Sequence, residues 1–448
     1  MRRSNKELDV VVKGNLFYRI SDFFKNETSS GILVLIFALL GIILANSPWK
    51  DLYFGFWSTE LGINFGGFEF KMSLLHWVND VLMFFFFFLV GMGIKREMLV
   101  GELSSLKKSL LPVIAATGGV LFPIIIYSLI NWGKDSFRGW GIPMATDIAF
   151  TIAVMMLLGN AVSSAIKANI TALAIADDIM ALVVIALFYS VDVNLIYVLI
   201  ALVVVGILLV LNRVGLTNEW VYWITGFILW VLLYKSGIHP TIAGVLLAFV
   251  IPTRIPKDFE TNIALVSSSL KSIMESYKKG KVFPDTKVNF STALEKLTKS
   301  EPYLQRFESM LSSFVSFIVL PTFAFSNAGV YIGNFSLKDL LHPIVLGVAL
   351  GLMFGKSTGI FTFSYLSIKL KITDISSKVR WSEYYGASWL GGIGFTMALF
   401  IAHLSFDQHP RYLDYAKVGI YLGSVISAIV GSLIVILTNG KKLAQNVK

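Results

Sequence analysis

Four ionisable side chains stand in the middle of stretches otherwise suited to lipid: Asp147, Asp177, Asp178 and Lys356. A fifth, Asp80, lies nearer the end of its stretch. An ionisable group at the centre of a membrane helix opposes insertion by ~2.5–3.5 kcal/mol. The set therefore costs about 10 kcal/mol if the terms add. Such groups line a bundle interior or a wet cavity, and they usually mark an ion path. Asp177 and Asp178 are adjacent in Ala174-Ile175-Ala176-Asp177-Asp178-Ile179. They fall ~10 residues, or roughly 15 Å, into their apolar run, which is near the bilayer middle. Neighbours on a helix point about 100° apart, so one carboxylate can face a cavity while the other faces a packed helix. Lys356, in Phe354-Gly355-Lys356-Ser357, is half way through its own run and is the natural counter-ion for one of the pair. One ammonium cannot neutralise two carboxylates. The remaining charge demands a proton or a bound cation, and burial disfavours the bare charged form. A proton and a hard cation such as Na+, which prefers oxygen ligands by the logic that governs Ca2+ and Mg2+, then compete for one site.

A second constellation is backbone in origin. Pro143-Met144-Ala145-Thr146-Asp147-Ile148 opens a short apolar run interrupted at Gly139, Gly141 and Pro143. In the other half of the chain, Gly391-Gly392-Ile393-Gly394-Phe395-Thr396 sits in the middle of another. Each glycine disfavours helix by about 1 kcal/mol. Two interrupted segments, one per half, point to the binding site of an inverted-repeat transporter. Close helix packing also uses glycine, so the coincidence with Asp147 and Lys356 carries the argument. Half-helix ends meeting in mid-membrane leave partial charges of both signs. Asp147 suits the positive N-terminal ends and Lys356 the negative C-terminal ends.

These residues must be positioned by membrane helices. Of 448 residues, 55% are hydrophobic and only 15% charged, against about 25% charged in soluble domains. A span needs about 20 largely apolar residues. Such runs number about twelve, near 31–47, 73–94, 110–131, 143–159, 166–189, 194–212, 219–235, 238–252, 309–332, 341–368, 385–404 and 415–438. Continuous apolar runs exclude a barrel, whose strands alternate. The fold class expected is therefore an all-α polytopic membrane protein. With both termini on one side, Lys and Arg mark the cytoplasmic loops. That set includes Arg2, Arg3, Lys95, Arg96, Lys107, Lys108, Lys369, Lys371, Lys378, Arg380, Lys441 and Lys442. The opposite set is sparse: Lys50, Lys71, Lys134, Arg138, Lys235, Lys338 and Arg411. Cationic loops beside anionic lipid account for the net charge of +10 without a nucleic-acid partner.

The resulting plan has a cytoplasmic N-terminal segment (1–30), eight spans within 31–252, a cytoplasmic loop (253–307), four spans within 308–438 and a cytoplasmic tail (439–448). The loop is hydrophilic and carries Lys278-Lys279-Gly280-Lys281 and Pro284-Asp285. It reads as a solvated insertion with amphipathic helices. Residues ~49–72, around Leu61-Gly62-Ile63-Asn64 and Gly66-Gly67, alternate aromatic and polar positions and read as a β-hairpin at the membrane surface. The first 28 residues are polar and show no cleavable signal peptide. Absent cysteine excludes disulfides and thiolate metal sites. The five histidines (His76, His239, His342, His403, His409) are scattered, which argues against a histidine-based metal site. No cofactor is implied.

In order along the chain, Trp77-Val78-Asn79-Asp80 with Gly91 to Glu97, Ala145-Thr146-Asp147-Ile148-Ala149-Phe150 and Ala174 to Asp178 form a recognisable series. It continues with Ser236-Gly237-Ile238-His239-Pro240-Thr241-Ile242-Ala243-Gly244-Val245, Pro321 to Gly329, Gly355-Lys356 and Gly391 to Met397. Over nearly the whole chain this resembles the NhaA family of sodium/proton antiporters; inverted-repeat transporters of that family are a worked example of the interrupted-segment rule used above. The resemblance implies twelve helices with two inverted three-helix repeats and two discontinuous helices crossing at mid-membrane. It implies electrogenic exchange of Na+ or Li+ for protons across a bacterial inner membrane, by alternating access, in the service of pH and sodium homeostasis. By motif match Asp178 is the main cation ligand and Asp177 the second carboxylate and partner of Lys356. Thr146 and Asp147 belong to the helix crossing. Asp80, Arg96 and Glu97 are positions of pH response, and the surface hairpin is a homodimerisation element. Two features depart from the family pattern. Gly93 replaces a carboxylate common in the Gly91–Glu97 stretch, and the 253–307 loop is long.

Competing readings are weaker. A sodium-coupled solute symporter needs a pocket for an organic substrate, and the central spans hold no Arg to grip a carboxylate. An intramembrane aspartyl protease needs two Asp on different helices flanking one water, which adjacent Asp177 and Asp178 do not provide, although Asp147 is a candidate partner. In a cation channel Lys356 would oppose the permeating ion.

Overall fold

The computed structural model describes residues 27–65, 68–190, 192–214, 218–254, 258–278, 285–374 and 379–445. The polar stretch before residue 27, Gly66-Gly67, residues 279–284 and Lys378 lie outside them. The chain folds as α1 (Glu27–Ala45), α2 (Lys50–Ser58), a hairpin of β1 (Glu60–Phe65) and β2 (Phe68–Ser73), then α3 (Leu74–Val100) and α4 (Leu106–Asn131). A 3-10 segment (Asp135–Met144) precedes α5 (Ile148–Leu157). Next come α6 (Ser164–Phe188), α7 (Leu195–Val214), α8 (Glu219–Ser236) and α9 (Ile242–Val250). Then follow α10 (Phe259–Lys278), α11 (Asp285–Ser300), α12 (Tyr303–Asn327), α13 (Pro343–Lys369), α14 (Trp381–Leu390), α15 (Phe395–Phe406) and α16 (Pro410–Gln445).

The protein is an all-α polytopic membrane protein. Among the described residues, seven helices, α3, α4, α6, α7, α12, α13 and α16, are long and apolar enough to cross a membrane, and up to 10 if each bent pair counts as one span. Each of the twelve apolar runs falls on a helix or a bent pair. α8 and α9 fall outside this set: α9 has only 9 residues, and α8 carries Glu219 and Lys235 at its ends. α9 nevertheless has a fixed place. Gly244 abuts the Phe84 carbonyl, and Gly91 faces Ala248, so α9 lies closely on α3. Lys95 Nζ donates to the carbonyls of Phe249 (2.7 Å) and Ile251 (2.5 Å), holding a cation at the C-terminus of α9 where the helix dipole favours one.

Three boundaries differ from the sequence reading. Residues 50–58 form α2 rather than the first arm of the hairpin, because Tyr53 and Trp57, four apart, bury on one helical face. The hairpin is confined to β1 and β2, paired from Glu60 opposite Ser73 to Phe65 opposite Phe68. α12 begins at Tyr303, so the polar insertion is shorter than 253–307 and consists of the helical hairpin α10–α11. α16 runs on to Gln445 without a break at 438.

Three long helices contain a π-helical turn: Trp77–Leu82 in α3, Val315–Val319 in α12 and Gly351–Lys356 in α13. Such turns add a residue to one helical repeat and re-aim the side chains that follow. Two of the three carry ionisable groups, Asp80 and Lys356. The segment of α13 that bears Lys356 is pressed onto α4: Gly118 and Gly359 meet backbone to backbone, each leaving no room for a Cβ. Replacing Gly359 by Val forces these helices apart. Overpacking of this kind costs about 1–3 kcal/mol, so Gly359→Val is expected to lower the thermal unfolding midpoint of detergent-purified protein. An unchanged midpoint would show that the contact is not tight.

Candidate functional site

The site is built where two helices stop in mid-bundle. The 3-10 segment 135–144 and α5 are bent by 43° about Ala145-Thr146-Asp147, and α14 and α15 by 45° about Gly391–Gly394. The two breaks cross. Asp147 N–H donates to the Ile393 carbonyl (2.7 Å). Gly394 brings its backbone against the Ala145 carbonyl, where a Cβ would lie at 3.0 Å. This close approach, with Gly392 against the Leu352 carbonyl and Ser427, is what the glycines of the second break serve.

A helix end in a dry interior leaves backbone donors or acceptors unpaired. Here Asp147 satisfies two N-termini at once. Its Oδ1 accepts from Phe150 N–H (3.0 Å) as the N-cap of α5, and its Oδ2 accepts from Thr396 N–H (2.9 Å) and Thr396 Oγ1 (2.5 Å) in the first turn of α15. Ser424 Oγ, on α16, accepts from Gly394 and Phe395 N–H. The negative ends are met by hydroxyls rather than by the lysine: Thr151 Oγ1 donates to the Leu390 carbonyl (3.1 Å), and Thr146 Oγ1 lies 2.9 Å from that of Gly391. Lys356 instead forms an ion pair with Asp177, and both are buried. Thr146 Oγ1 is also 2.6 Å from the same Asp177 Oδ2, while Asp177 Oδ1 has no partner.

Asp178 is placed differently from its neighbour. Its carboxylate makes no hydrogen bond or ion pair among the described residues, and it lines a cavity of about 270 Å³ together with Asp147 and Thr396. The cavity runs between α3, α5, α6 and α12, past Phe86, Ile152 and Leu320, to Gly93, Arg96 and Glu308 at the far end. Arg96 pairs with Glu308 there (2.6 Å). The structure thus brings Asp177, Asp178, Thr146, Asp147 and Lys356 together. It separates Asp80 from Arg96 and Glu97, at opposite ends of α3. Asp80 faces His239 (3.3 Å) in a different, wider cavity of about 430 Å³. Glu97 accepts from Glu102 N–H (2.9 Å) and caps the turn after α3.

Several participants escaped the sequence reading. Glu308 lies inside α12 but just ahead of the apolar run at 309–332, so hydropathy did not single it out. Thr151 and Ser424 are ordinary small polar residues whose role is visible only once the breaks cross. Lys417 is buried within α16 and donates to the Gly329 carbonyl (3.0 Å); its charge in an apolar run was the available signal. Glu383, buried in α14, accepts from Ser163 N–H ahead of α6 (2.8 Å).

Comparison with known proteins agrees with this architecture. Residues 21–435 match the family described as Na+/H+ antiporter 1. The chain is 44% identical over 423 residues to the Na(+)/H(+) antiporter NhaA 2 of Aliarcobacter butzleri, covering 94% of this chain and 98% of that one. It is 41% identical over 436 residues to the Na(+)/H(+) antiporter NhaA of Koribacter versatilis (96% and 93% covered), and 43% identical over 415 residues to that of Helicobacter pylori (92% and 94%). With the match running over nearly its whole length, through both helix breaks and the buried charges between them, the chain belongs to the NhaA family of Na+/H+ antiporters, which are transporters rather than enzymes.

Proposed function

We propose that this protein exchanges Na+ or Li+ for protons across a bacterial inner membrane, with Asp178 as the ion-binding carboxylate and Asp177 as its partner. The single observation that carries the reading is the contrast between the neighbours: Asp177 is tied to Lys356 and Thr146, whereas Asp178 lines a cavity without a protein partner. A lone carboxylate in a low-dielectric site is not stable empty; it binds either H+ or a metal cation. Asp147 is committed to two helix N-termini and acts as a fixed counter-charge rather than a carrier.

Charge bookkeeping supports unequal exchange. In the proton-loaded state Asp178 is neutral and Asp177 pairs with the Lys356 ammonium, so the trio is neutral. When Na+ is shared by Asp178 and the unpartnered Oδ1 of Asp177, Lys356 loses its partner, and an unpaired ammonium in a dry site gives up its proton. The trio plus Na+ then carries one negative charge. Two protons have left for one Na+, and each cycle moves net charge.

The Lys and Arg bias places the Arg96–Glu308 end of the cavity in the cytoplasm, with both termini on that side and the basic loops against anionic lipid. The structure is then open to the inside, and alternating access transfers the opening to the opposite cavity at Asp80. This exchange serves pH and sodium homeostasis. The β1–β2 hairpin is only two-stranded and has free edges; such ribbons are marginal alone, which suits pairing with a second copy in a homodimer. Asp80, Arg96 and Glu97 are proposed positions of pH response.

In proteoliposomes, added NaCl is expected to dissipate a preformed pH gradient, and an imposed membrane potential to change the rate. No dissipation at any pH near or above neutrality would reject exchange, and indifference to potential would reject the two-to-one ratio. Asp178→Asn is expected to abolish the response while leaving the fold intact by gel filtration; normal transport would remove Asp178 from its role. Lys356→Ala leaves Asp177 buried without its partner. Breaking a buried pair costs about 3–5 kcal/mol, so a marked fall in thermal stability is expected, and none would mean the pair contributes little in the resting state.

A further inference from the structure

The wide cavity at the Asp80 end gathers four of the five histidines: His76, His239, His403 and His409. Their scatter along the chain had argued against a histidine metal site, yet two of them converge on one carboxylate. His403 Nε2 lies 3.2 Å from Asp407 Oδ1, and His76 Nε2 lies 3.7 Å from the same oxygen. The three donor atoms all fall within 4.8 Å of one another. We infer that His76, His403 and Asp407 form a binding site for a divalent transition-metal ion of the Zn2+ class at the mouth of this cavity.

The geometry suits that ion. Zn–N and Zn–O bonds of ~2.0–2.2 Å in a tetrahedral shell place ligand atoms about 3.3–3.6 Å apart. The two His–Asp separations already bracket that range. His76 and Asp407 are about half exposed, with relative side-chain accessibilities of 44% and 49%, and so are free to close the remaining gap. The fourth position opens on the cavity, as in metal sites that keep a water. Two imidazoles and one carboxylate favour Zn2+, Ni2+ or Cu2+ over Mg2+, which requires an oxygen shell.

The surroundings are arranged as such ligands need. Ser73 Oγ is 2.7 Å from His76 Nδ1 and also accepts from the His76 N–H (3.2 Å) as the N-cap of α3. With Nδ1–H donating to Ser73, the Nε2 lone pair points at the site; a second hydrogen bond of this kind is the usual device for orienting a metal-binding imidazole. His403 is 7% exposed; its Nδ1 has no hydrogen-bond partner, and its Nε2 meets only the Asp407 carboxylate, 3.2 Å away. A buried imidazole held by so few contacts is costly, and a metal shared with Asp407 at Nε2 adds a bond on that side of the ring. The bound ion would bridge the first turn of α3, the last turn of α15 and the turn into α16. It would fasten the helix that bears Asp80 to the helix whose other end bears Thr396. Arg138 and the Asp80–His239 pair line the same cavity and are the competing features.

The test is a Zn2+ titration of tag-free, detergent-purified full-length protein, read by calorimetry and by the thermal unfolding midpoint, with Mg2+ as the control ion. Expected are one Zn2+ per chain, a raised midpoint and no effect of Mg2+ at the same concentration. His76→Gln and Asp407→Asn are expected to weaken Zn2+ at least tenfold, and Ser73→Ala by about tenfold through loss of orientation. His239→Gln should leave Zn2+ affinity unchanged. The assignment is overturned by absence of saturable Zn2+ binding, by binding that survives both His76→Gln and Asp407→Asn, or by an equal loss in His239→Gln. Both principal variants alter half-exposed side chains, so they report on binding rather than on folding, and none of these readouts depends on transport.

Discussion

A helix that ends inside a membrane strands backbone groups that water cannot reach, and the whole centre of this protein is organised around settling that debt twice over. Two helices are broken, and their broken ends are made to face each other. One carboxylate, Asp147, then completes the N-termini of both α5 and α15, while the hydroxyls of Thr146 and Thr151 take the opposing carbonyls. Backbone groups that would cost several kcal/mol each if unpaired in hydrocarbon are satisfied by a handful of side chains. Both oxygens of Asp147 are thereby committed to backbone and hydroxyl donors, although it lines the same cavity as Asp178.

On α6 the same economy separates two chemically identical neighbours. The turn of the helix sends Asp177 into packed protein, where Lys356 and Thr146 meet it, and sends Asp178 to the cavity wall. The π-helical turn that ends at Lys356 sets the phase of α13 so that its ammonium arrives at Asp177. The difference between the two carboxylates is therefore one of surroundings, not of residue type.

Much of this was legible in the residues. Apolar runs located the helices, because lipid imposes continuous hydrophobicity on any spanning segment. Buried charges pointed to the residues that cluster at the helix crossing, because they are too expensive to be incidental. Glycine and proline located both breaks. What could not be read were the relations between segments. Tyr53 and Trp57 belong to an aromatic-rich stretch that reads as part of the hairpin, but they lie on one helical face. Lys356 was as suitable for a carbonyl cluster as for Asp177, and only the packing of α13 on α4 decides between them. Glu308 drew no notice because the apolar signal of α12 begins after the helix does. His76 and His403, more than three hundred residues apart, meet only because α3 and α15 end on the same face.

The contact between Gly118 and Gly359 has a mechanical meaning. Two helices that meet backbone to backbone here, with the Phe122 and Phe363 rings locked on either side, resist sliding, so α4 and α13 form one stiff plank. Lys356 sits on that plank, so any displacement of α6 against it would change the Lys356–Asp177 separation.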